Sequence, residues 1–348
     1  MIALASAPPS STPSPVATTL PTLADLLDVE LRALSADLPP ALWERVLVGP
    51  IRDLLARPAK QFRAQLLAAG WALAGGGRSG PPDALVAAIE VLHAGSLVID
   101  DIEDQAEERR GDVALHRRYG LPVALNAGNW MYFWAFSLVE RAPADDATRR
   151  ELQRAMLRGI LDCHAGQALD VGQDVTQIER AQLRTVVARS TSLKSGSLTR
   201  LATELGAIAA GASADRLAAI AEFGAALGLG LQMLDDVGSI TSEQRIGKCR
   251  EDLLQLRPTW PWVWASESAD DASWHRIVRW ARQVAARHED PLPLARTLGL
   301  HAQRVGRADV TRQLDRALAI ARDICATTNP EAYAAVEREV RRLEVSYG

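Results

Sequence analysis

From Leu23 onward, apolar residues recur three and four positions apart, as in Leu27, Leu31, Leu34 and Leu38. That spacing puts them on one face of a 3.6-residue helix. Alternating strand patterns are almost absent, and Ala, Leu and Arg dominate. The periodic stretches are separated by short segments with turn chemistry: GGGRSGPP at 75–82, APADD at 142–146, GASAD at 211–215, SESADD at 266–271 and HEDPLP at 288–293. Gly and Pro break helices, while Asp and Ser at these joints are ready N-caps. The pattern predicts eight or more helices of roughly 10–25 residues, and an all-α bundle. No repeat with a period of 20–50 residues is present. Residues 1–22 are mostly Ala, Ser, Thr and Pro without Lys or Arg, and read as a disordered tail ahead of one all-α domain over 23–348.

Composition narrows the picture. With 39 Lys+Arg against 43 Asp+Glu the net charge is −4, which argues against binding nucleic acid by bulk charge. Hydrophobic residues at 48% supply a large core. No run reaches about 18 uninterrupted apolar residues, so no membrane span is expected. Cys163, Cys249 and Cys325 are far apart and form no CxxC pair, which suits a reducing, cytoplasmic setting better than a disulfide framework or a zinc-cysteine site.

The chemistry concentrates in two acidic clusters. An apolar helix running from His93 through Gly95, Ser96 and Ile99 ends in Asp100-Asp101-Ile-Glu-Asp104, four carboxylates among five residues. Asp100 and Asp104 lie one turn apart on the same helical face. Carboxylates crowded in this way repel, and a hard divalent cation such as Mg²⁺ relieves the repulsion. A second apolar stretch containing Gln232 ends in Asp235-Asp236-Val-Gly-Ser239. Two such pairs facing each other across a bundle would hold several Mg²⁺ ions, which in turn call for an anionic substrate. Arg109-Arg110-Gly111 follows the first cluster, Lys248 and Asp252 follow the second, and Lys194-Ser195-Gly196 lies between them. Arginine forks and lysine point charges suit diphosphate oxygens.

These residues resemble the trans-isoprenyl diphosphate synthases, the polyprenyl synthetase family, from about Leu54 to Pro261. Within the family the likeness is to geranylgeranyl diphosphate synthases. DDIED with RRG at the family's spacing is the most specific part. The stretch Asn126-Ala127-Gly128-Asn129-Trp130-Met131-Tyr132-Phe133 is similar to N-S-A-N-Y-V-Y-F of the eukaryotic-type geranylgeranyl enzymes. Gly166-Gln167-Ala168-Leu169-Asp170 matches GQxxD. The family's G-G-K-x-x-R loop reads Pro58-Ala59-Lys60-Gln61-Phe62-Arg63, with both glycines replaced. Two further departures are Ser239, in place of a third Asp, and Leu256-Arg257, where the family has Gly-Lys.

The resemblance implies an isoprenoid synthase helical bundle with a central cavity, a homodimer, and about three Mg²⁺ per site. It assigns metal binding to Asp100, Asp101, Asp104, Asp235, Asp236 and Asp252. It assigns the isopentenyl diphosphate pocket to Lys60, Arg63, His93 and Arg110, and allylic diphosphate contacts to Arg109, Gln167, Lys194, Ser195, Gln232 and Lys248. Catalytic duty would fall on Asp100, Asp101, Asp104, Lys194, Asp235 and Lys248. The pocket floor would be Gly95 and Ser96, two small residues that leave room for a geranylgeranyl chain. The implied reaction joins an allylic diphosphate to isopentenyl diphosphate. The alternatives are a terpene cyclase or a prenyltransferase with another acceptor on the same fold, and a weakly active regulatory subunit. Nine tryptophans against four phenylalanines bear on the cyclase alternative: Trp130, Trp134, Trp260, Trp262 and Trp264 serve either as core packing or as aromatic faces for a carbocation. Residues 265–348 carry helical periodicity and no recognised motif.

Overall fold

The structure, a computed structural model, describes residues 23–34, 37–59, 61–242, 246–325 and 330–347. The tail over 1–22 lies outside them. The described chain is helical, and its helices begin where the turn segments end. Asp145 caps the helix Asp146–Gly172 by accepting the Thr148 N–H at 2.7 Å, and Asp270 caps Asp271–Ala285 through the Ser273 N–H at 2.7 Å. Asp290 does the same for Pro291–His301 through Leu292. Each cap satisfies a backbone donor that the helix itself leaves unpaired.

The bundle is built around the 28-residue helix Ala214–Thr241. It packs against Ser197–Ala209, Arg307–Cys325 and Pro291–His301. Among the described residues it is the one helix long and apolar enough to cross a membrane, and more than half of its apolar window is buried inside the bundle. Ser197–Ala209 is buried along almost its whole length between Ala214–Thr241, Phe62–Leu73 and Asp146–Gly172. Its contact with Phe62–Leu73 is backbone to backbone: a methyl group on Gly206 would land on the Leu67 carbonyl, and one on Gly70 on the Thr203 carbonyl.

The tryptophans belong to the core. Trp260, Trp262 and Trp264 are among the largest fully buried side chains, and Trp134 is buried against Trp130 with ring centroids 5.3 Å apart. None of these five lines either of the cavities described below. All three cysteines are free.

One element departs from the helical expectation. After Asp83–Glu103 ends, the chain forms a small antiparallel hairpin, Glu108–Arg109 with Asp112–Val113, closed by Arg110-Gly111. Both turn residues have positive φ, 55° and 77°. Two such residues match the right-handed twist of a two-residue hairpin, and glycine adopts the second at no steric cost.

Candidate active site

Asp83–Glu103 delivers His93, Ser96, Asp100, Asp101 and Asp104, and the turn after it delivers Arg109 and Arg110. Asp146–Gly172 delivers Gln167 and Asp170 from across the bundle. A wide π-helical turn, Ser192–Gly196, presents Lys194 and Ser195. Gly166 makes that meeting possible. A methyl group there would overlap the Lys194 backbone nitrogen, so only glycine lets the two segments touch and brings Asp170 up to Lys194.

Lys194 is the hub of the first cluster. Its Nζ donates to Asp100 Oδ1 at 2.9 Å and to Asp170 Oδ2 at 2.6 Å. Burial opposes its charge, but Asp100 and Asp170 outweigh that and hold the ammonium well above the usual lysine range. Burial likewise opposes ionisation of Asp100, yet Lys194 and Arg109 keep its carboxyl below the usual range. Gln167 donates to Asp100 at 3.1 Å and to Glu103 at 2.5 Å. Asp101 turns the other way. It is buried, and the Arg109 guanidinium clasps its Oδ1 through Nε at 2.7 Å and through Nη2.

The second acidic pair stays together: Asp235 and Asp236 both line the smaller cavity described below, and Asp235 lines the larger one as well. Asp236 accepts from Gln232 Nε2 at 2.8 Å and from the Trp260 N–H at 3.0 Å, while Ser195 donates to the Gln232 carbonyl oxygen at 2.8 Å. Burial, with Asp235 and Asp170 nearby, pushes Asp236 up to about 7. Ser239 spends its hydroxyl proton on the Asp236 carbonyl. Asp252 is pushed well above the usual carboxylate range by burial and by Asp236, Asp104 and Asp170. Asp104 rises to about 6, by burial and then by Asp100. The two clusters therefore lie within electrostatic reach of each other, and together they hold more carboxylates than cations.

Two residues on this wall stand out less in sequence. Asp170 shows there only as the end of GQxxD, yet it is a direct partner of Lys194. Arg257 donates to Asp104 Oδ1 and to the Asp170 carbonyl, both at 3.0 Å, and Leu256 before it has a φ of 55°, a conformation that ordinarily favours glycine. Arg and Leu thus take the places where the resemblance has Lys and Gly.

Two adjoining cavities result. An acidic one of about 420 Å³ is lined by Asp100, Asp104, Asp170, Lys194, Asp235 and Asp252, and is closed on its apolar side by Ile99, Tyr132, Cys163, His164 and Leu198. The Tyr132 and His164 rings meet edge to face at 5.4 Å. The other, of about 980 Å³, is lined by Arg63, Glu90, His93, Arg110 and Pro58. Arg63, His93, Leu97, Glu108, Arg109, Ser195, Gln232, Asp235 and Glu251 line both. His93 is held far below the usual histidine range by burial and then by Arg63, Arg110 and Arg109, so its imidazole is neutral. Glu90 anchors the start of the Phe62–Leu73 helix by accepting the Ala64 N–H at 3.0 Å.

Ser96 lines the acidic cavity and donates to the His93 carbonyl at 2.8 Å. Gly95, the other expected floor residue, is placed differently: it lines neither cavity and faces Gly128 and Met131 on the neighbouring helix Leu121–Glu140. The close packing of this helix on Leu121–Glu140 turns Gly95 into the contact, with Gly128 O and Met131 Cβ only 3.0 Å from where its Cβ would lie. Lys60 lies outside the described residues. Lys248 sits in the helix Ile246–Leu254, and its side chain is outside them as well.

Among the described residues, no three His, Cys, Asp or Glu side chains converge tightly enough to hold a metal ion unaided. The donor set nonetheless fits Mg²⁺. This ion is bound through one or two carboxylates each, with waters and substrate phosphates completing its shell. The raised carboxyls of Asp104 and Asp252 are groups whose ionisation an added cation would favour.

The polyprenyl synthetase family profile matches residues 44–290. A short chain isoprenyl diphosphate synthase of Methanothermobacter thermautotrophicus is 30% identical over 260 residues, 73% of this chain and 76% of that protein. Geranylgeranyl pyrophosphate synthase 2 of Zymoseptoria tritici is 33% identical over 248 residues, 68% of this chain and 69% of its own length. The crystal structure of geranylgeranyl pyrophosphate synthase from Corynebacterium glutamicum, complexed with isoprenyl diphosphate and magnesium, superposes with a TM-score of 0.73. It is 18% identical and covers 94% of this chain and 96% of its own, which shows a shared fold. The chain belongs to the polyprenyl synthetase family, a family of prenyl transferases.

Proposed function

We propose that this family member condenses an allylic diphosphate with isopentenyl diphosphate in a Mg²⁺-dependent reaction, lengthening a trans-prenyl chain to geranylgeranyl diphosphate. The observation that carries the reading is the pair of adjoining cavities: the smaller gathers Asp100, Asp104, Asp170 and Lys194, the larger alone takes in Arg110, and Arg63, His93, Arg109 and Asp235 belong to their shared wall. A cyclase acting on a single diphosphate has no use for the second cavity. The names of the Methanothermobacter and Zymoseptoria relatives, a short chain isoprenyl diphosphate synthase and a geranylgeranyl pyrophosphate synthase, support the same class of product.

In this reading Asp100, Asp104, Asp235, Asp236 and Asp252, joined by Asp170, would hold Mg²⁺ against the allylic diphosphate, and Asp101 serves through Arg109. Bound Mg²⁺ supplies charge that stabilises the leaving diphosphate. Lys194 and Arg109 add fixed positive charge on the same side. Such preorganised charge is the main means of lowering a barrier at which negative charge develops. Arg63 and Arg110, with the N–H of neutral His93, hold the diphosphate of isopentenyl diphosphate. Ile99, Tyr132 and Leu198 keep water from the reacting carbons.

The carbon–oxygen bond of the allylic substrate breaks with its electron pair going to diphosphate. The isopentenyl double bond supplies the pair for the new carbon–carbon bond. A proton then leaves the adjacent carbon, and the released diphosphate takes it.

The cytoplasm and a homodimer belong to the same reading. Exposed Leu125, Phe133, Leu157 and Leu161, on two consecutive helices, offer an apolar face for a second copy. The test is mass-spectrometric product analysis with Mg²⁺ and farnesyl diphosphate, with and without isopentenyl diphosphate. A longer linear diphosphate formed only with isopentenyl diphosphate is expected. A hydrocarbon or alcohol from farnesyl diphosphate alone would replace this reading with the cyclase.

A further inference from the structure

The Arg110-Gly111 turn carries a mechanical problem. Arg110 must extend into the larger cavity from a backbone with φ of 55°, which for a side chain with a Cβ costs about 1 kcal/mol relative to an ordinary conformation. A hairpin with two residues per strand cannot hold that turn by its own ladder.

The restraint comes from Arg57, a residue outside both cavities and outside every motif in the sequence. It ends the helix Gly49–Ala56 and is only 7% exposed. Its guanidinium reaches both strands of the hairpin: Nη1 donates to the Arg109 carbonyl at 2.9 Å and Nη2 to the Val113 carbonyl at 3.0 Å. Its third arm, Nε, donates to Asp53 Oδ1 at 3.0 Å. The other oxygen of Asp53 accepts from Arg118 at 2.7 Å and from the Tyr119 hydroxyl at 3.0 Å. Arg118 in turn holds the side chain of Asp112, on the second strand. The fork therefore grips the hairpin on both sides of the Arg110 turn, and its far end is anchored.

The backbone of Arg57 matters as much as its side chain. Pro58 and Ala59 follow it directly and line the larger cavity, where the resemblance has two glycines, and Arg63 lies a few residues on. One buried side chain thus ties the segment that leads to Arg63 to the hairpin that carries Arg109 and Arg110.

We propose that Arg57 is a positioning residue: without touching substrate, it sets the distance between the two arginine-bearing segments of the larger cavity and so governs binding of the non-allylic diphosphate. The inference rests on the assignment of that cavity to isopentenyl diphosphate.

Arg57→Lys is the discriminating variant, because a lysine keeps a charge for Asp53 and loses the planar fork that holds two carbonyls at once. The KM for isopentenyl diphosphate is expected to rise by about tenfold or more. The KM for the allylic substrate and kcat should shift less, by about threefold at most, because Arg109 shares the hairpin but its guanidinium is clasped independently by Asp101. Amide hydrogen exchange at Ala114, whose N–H donates to the Glu107 carbonyl at 2.9 Å across the open end of the hairpin, should quicken by about tenfold, with the bundle helices unchanged. Arg118→Gln, at the exposed end of the network, is expected to shift the same KM by about threefold without disturbing the buried guanidinium.

Equal effects on both substrates, or unchanged exchange in the hairpin, would overturn the proposal. If the wild-type protein consumes no isopentenyl diphosphate, the functional reading fails on its own. The exchange measurement still decides whether Arg57 holds the hairpin.

Discussion

Replacing Lys194 with Met removes one charge and leaves the side-chain volume nearly unchanged. In the native arrangement the ammonium makes two charge-assisted hydrogen bonds, at 2.9 Å to Asp100 and 2.6 Å to Asp170, with 29% of the lysine side chain exposed. Each such bond contributes about 1.5–3 kcal/mol, and their loss also leaves Asp100, Asp104 and Asp170 with less positive charge among them. Arg257 still holds Asp104, and Gln167 still donates to Asp100, so part of the penalty is absorbed. A net loss of about 3 kcal/mol in unfolding free energy follows for the metal-free protein, roughly 6 °C in Tm for a chain of this size. Mg²⁺ should restore much of it, because a divalent ion takes over the role of the missing charge. Turnover should not recover, since Lys194 also stabilises the departing diphosphate; a fall of about 10²–10³ in kcat is expected. The assay is thermal unfolding in chelator and in Mg²⁺, alongside steady-state turnover with both substrates saturating. A kcat within about threefold of wild type would refute the catalytic reasoning. A Tm deficit of the same size with and without Mg²⁺ would refute the electrostatic reasoning.

Ser96→Phe should shorten the product, read by mass spectrometry, because Ser96 faces the cavity that would hold the growing chain; unchanged length would place the floor deeper, toward Tyr132 and His164. Gly206→Ala should lower stability by about 3 kcal/mol in denaturant unfolding, because the new methyl meets the Leu67 backbone and forces two helices apart; a change under about 1 kcal/mol would mean the helices separate easily. His93 provides a pH test. It is buried among Arg63, Arg110 and Arg109, with Glu90 one turn away on its own helix, and its folded-state pKa lies well below its ordinary 6.5. The unfolded chain takes up a proton that the folded one refuses, so this contribution is fully present above pH 6.5 and is lost as the pH falls. The slope approaches about 1.4 kcal/mol per pH unit. Raised carboxyls act in the opposite sense, so the measurement is the difference between wild type and His93→Asn, in which they cancel. Wild type should lose stability relative to the variant between pH 6.5 and 5, and parallel curves would show that His93 is not held neutral.

Much of this protein was legible from local spacing. A three-and-four periodicity marks helices because a single turn decides which side chains share a face, and aspartates at the joints mark their beginnings because the cap is a contact across three residues. The acidic clusters, Arg109 and Arg110, and the resemblance carried by DDIED, RRG and GQxxD are likewise readable in line. Other features needed the fold. The first cluster has no lysine near it in sequence, yet Lys194, ninety-four positions on, sits between Asp100 and Asp170 because Gly166 lets two segments touch. Asp101 turns to Arg109 while its neighbour Asp100 faces the cavity, and Gly95 turns into a helix contact while Ser96 faces the cavity. Both outcomes depend on how Asp83–Glu103 is rotated against its neighbours, a quantity set by packing along its whole length. The tryptophans went to the core for the same reason. Arg57 was invisible in sequence because its partners lie more than fifty residues away, on backbone carbonyls that any residue type would supply. Local spacing thus determined which elements form and which chemistry they carry, and the tertiary structure decided which of those groups face one another, because helix rotation and closest approach are settled only when every packed surface is satisfied together.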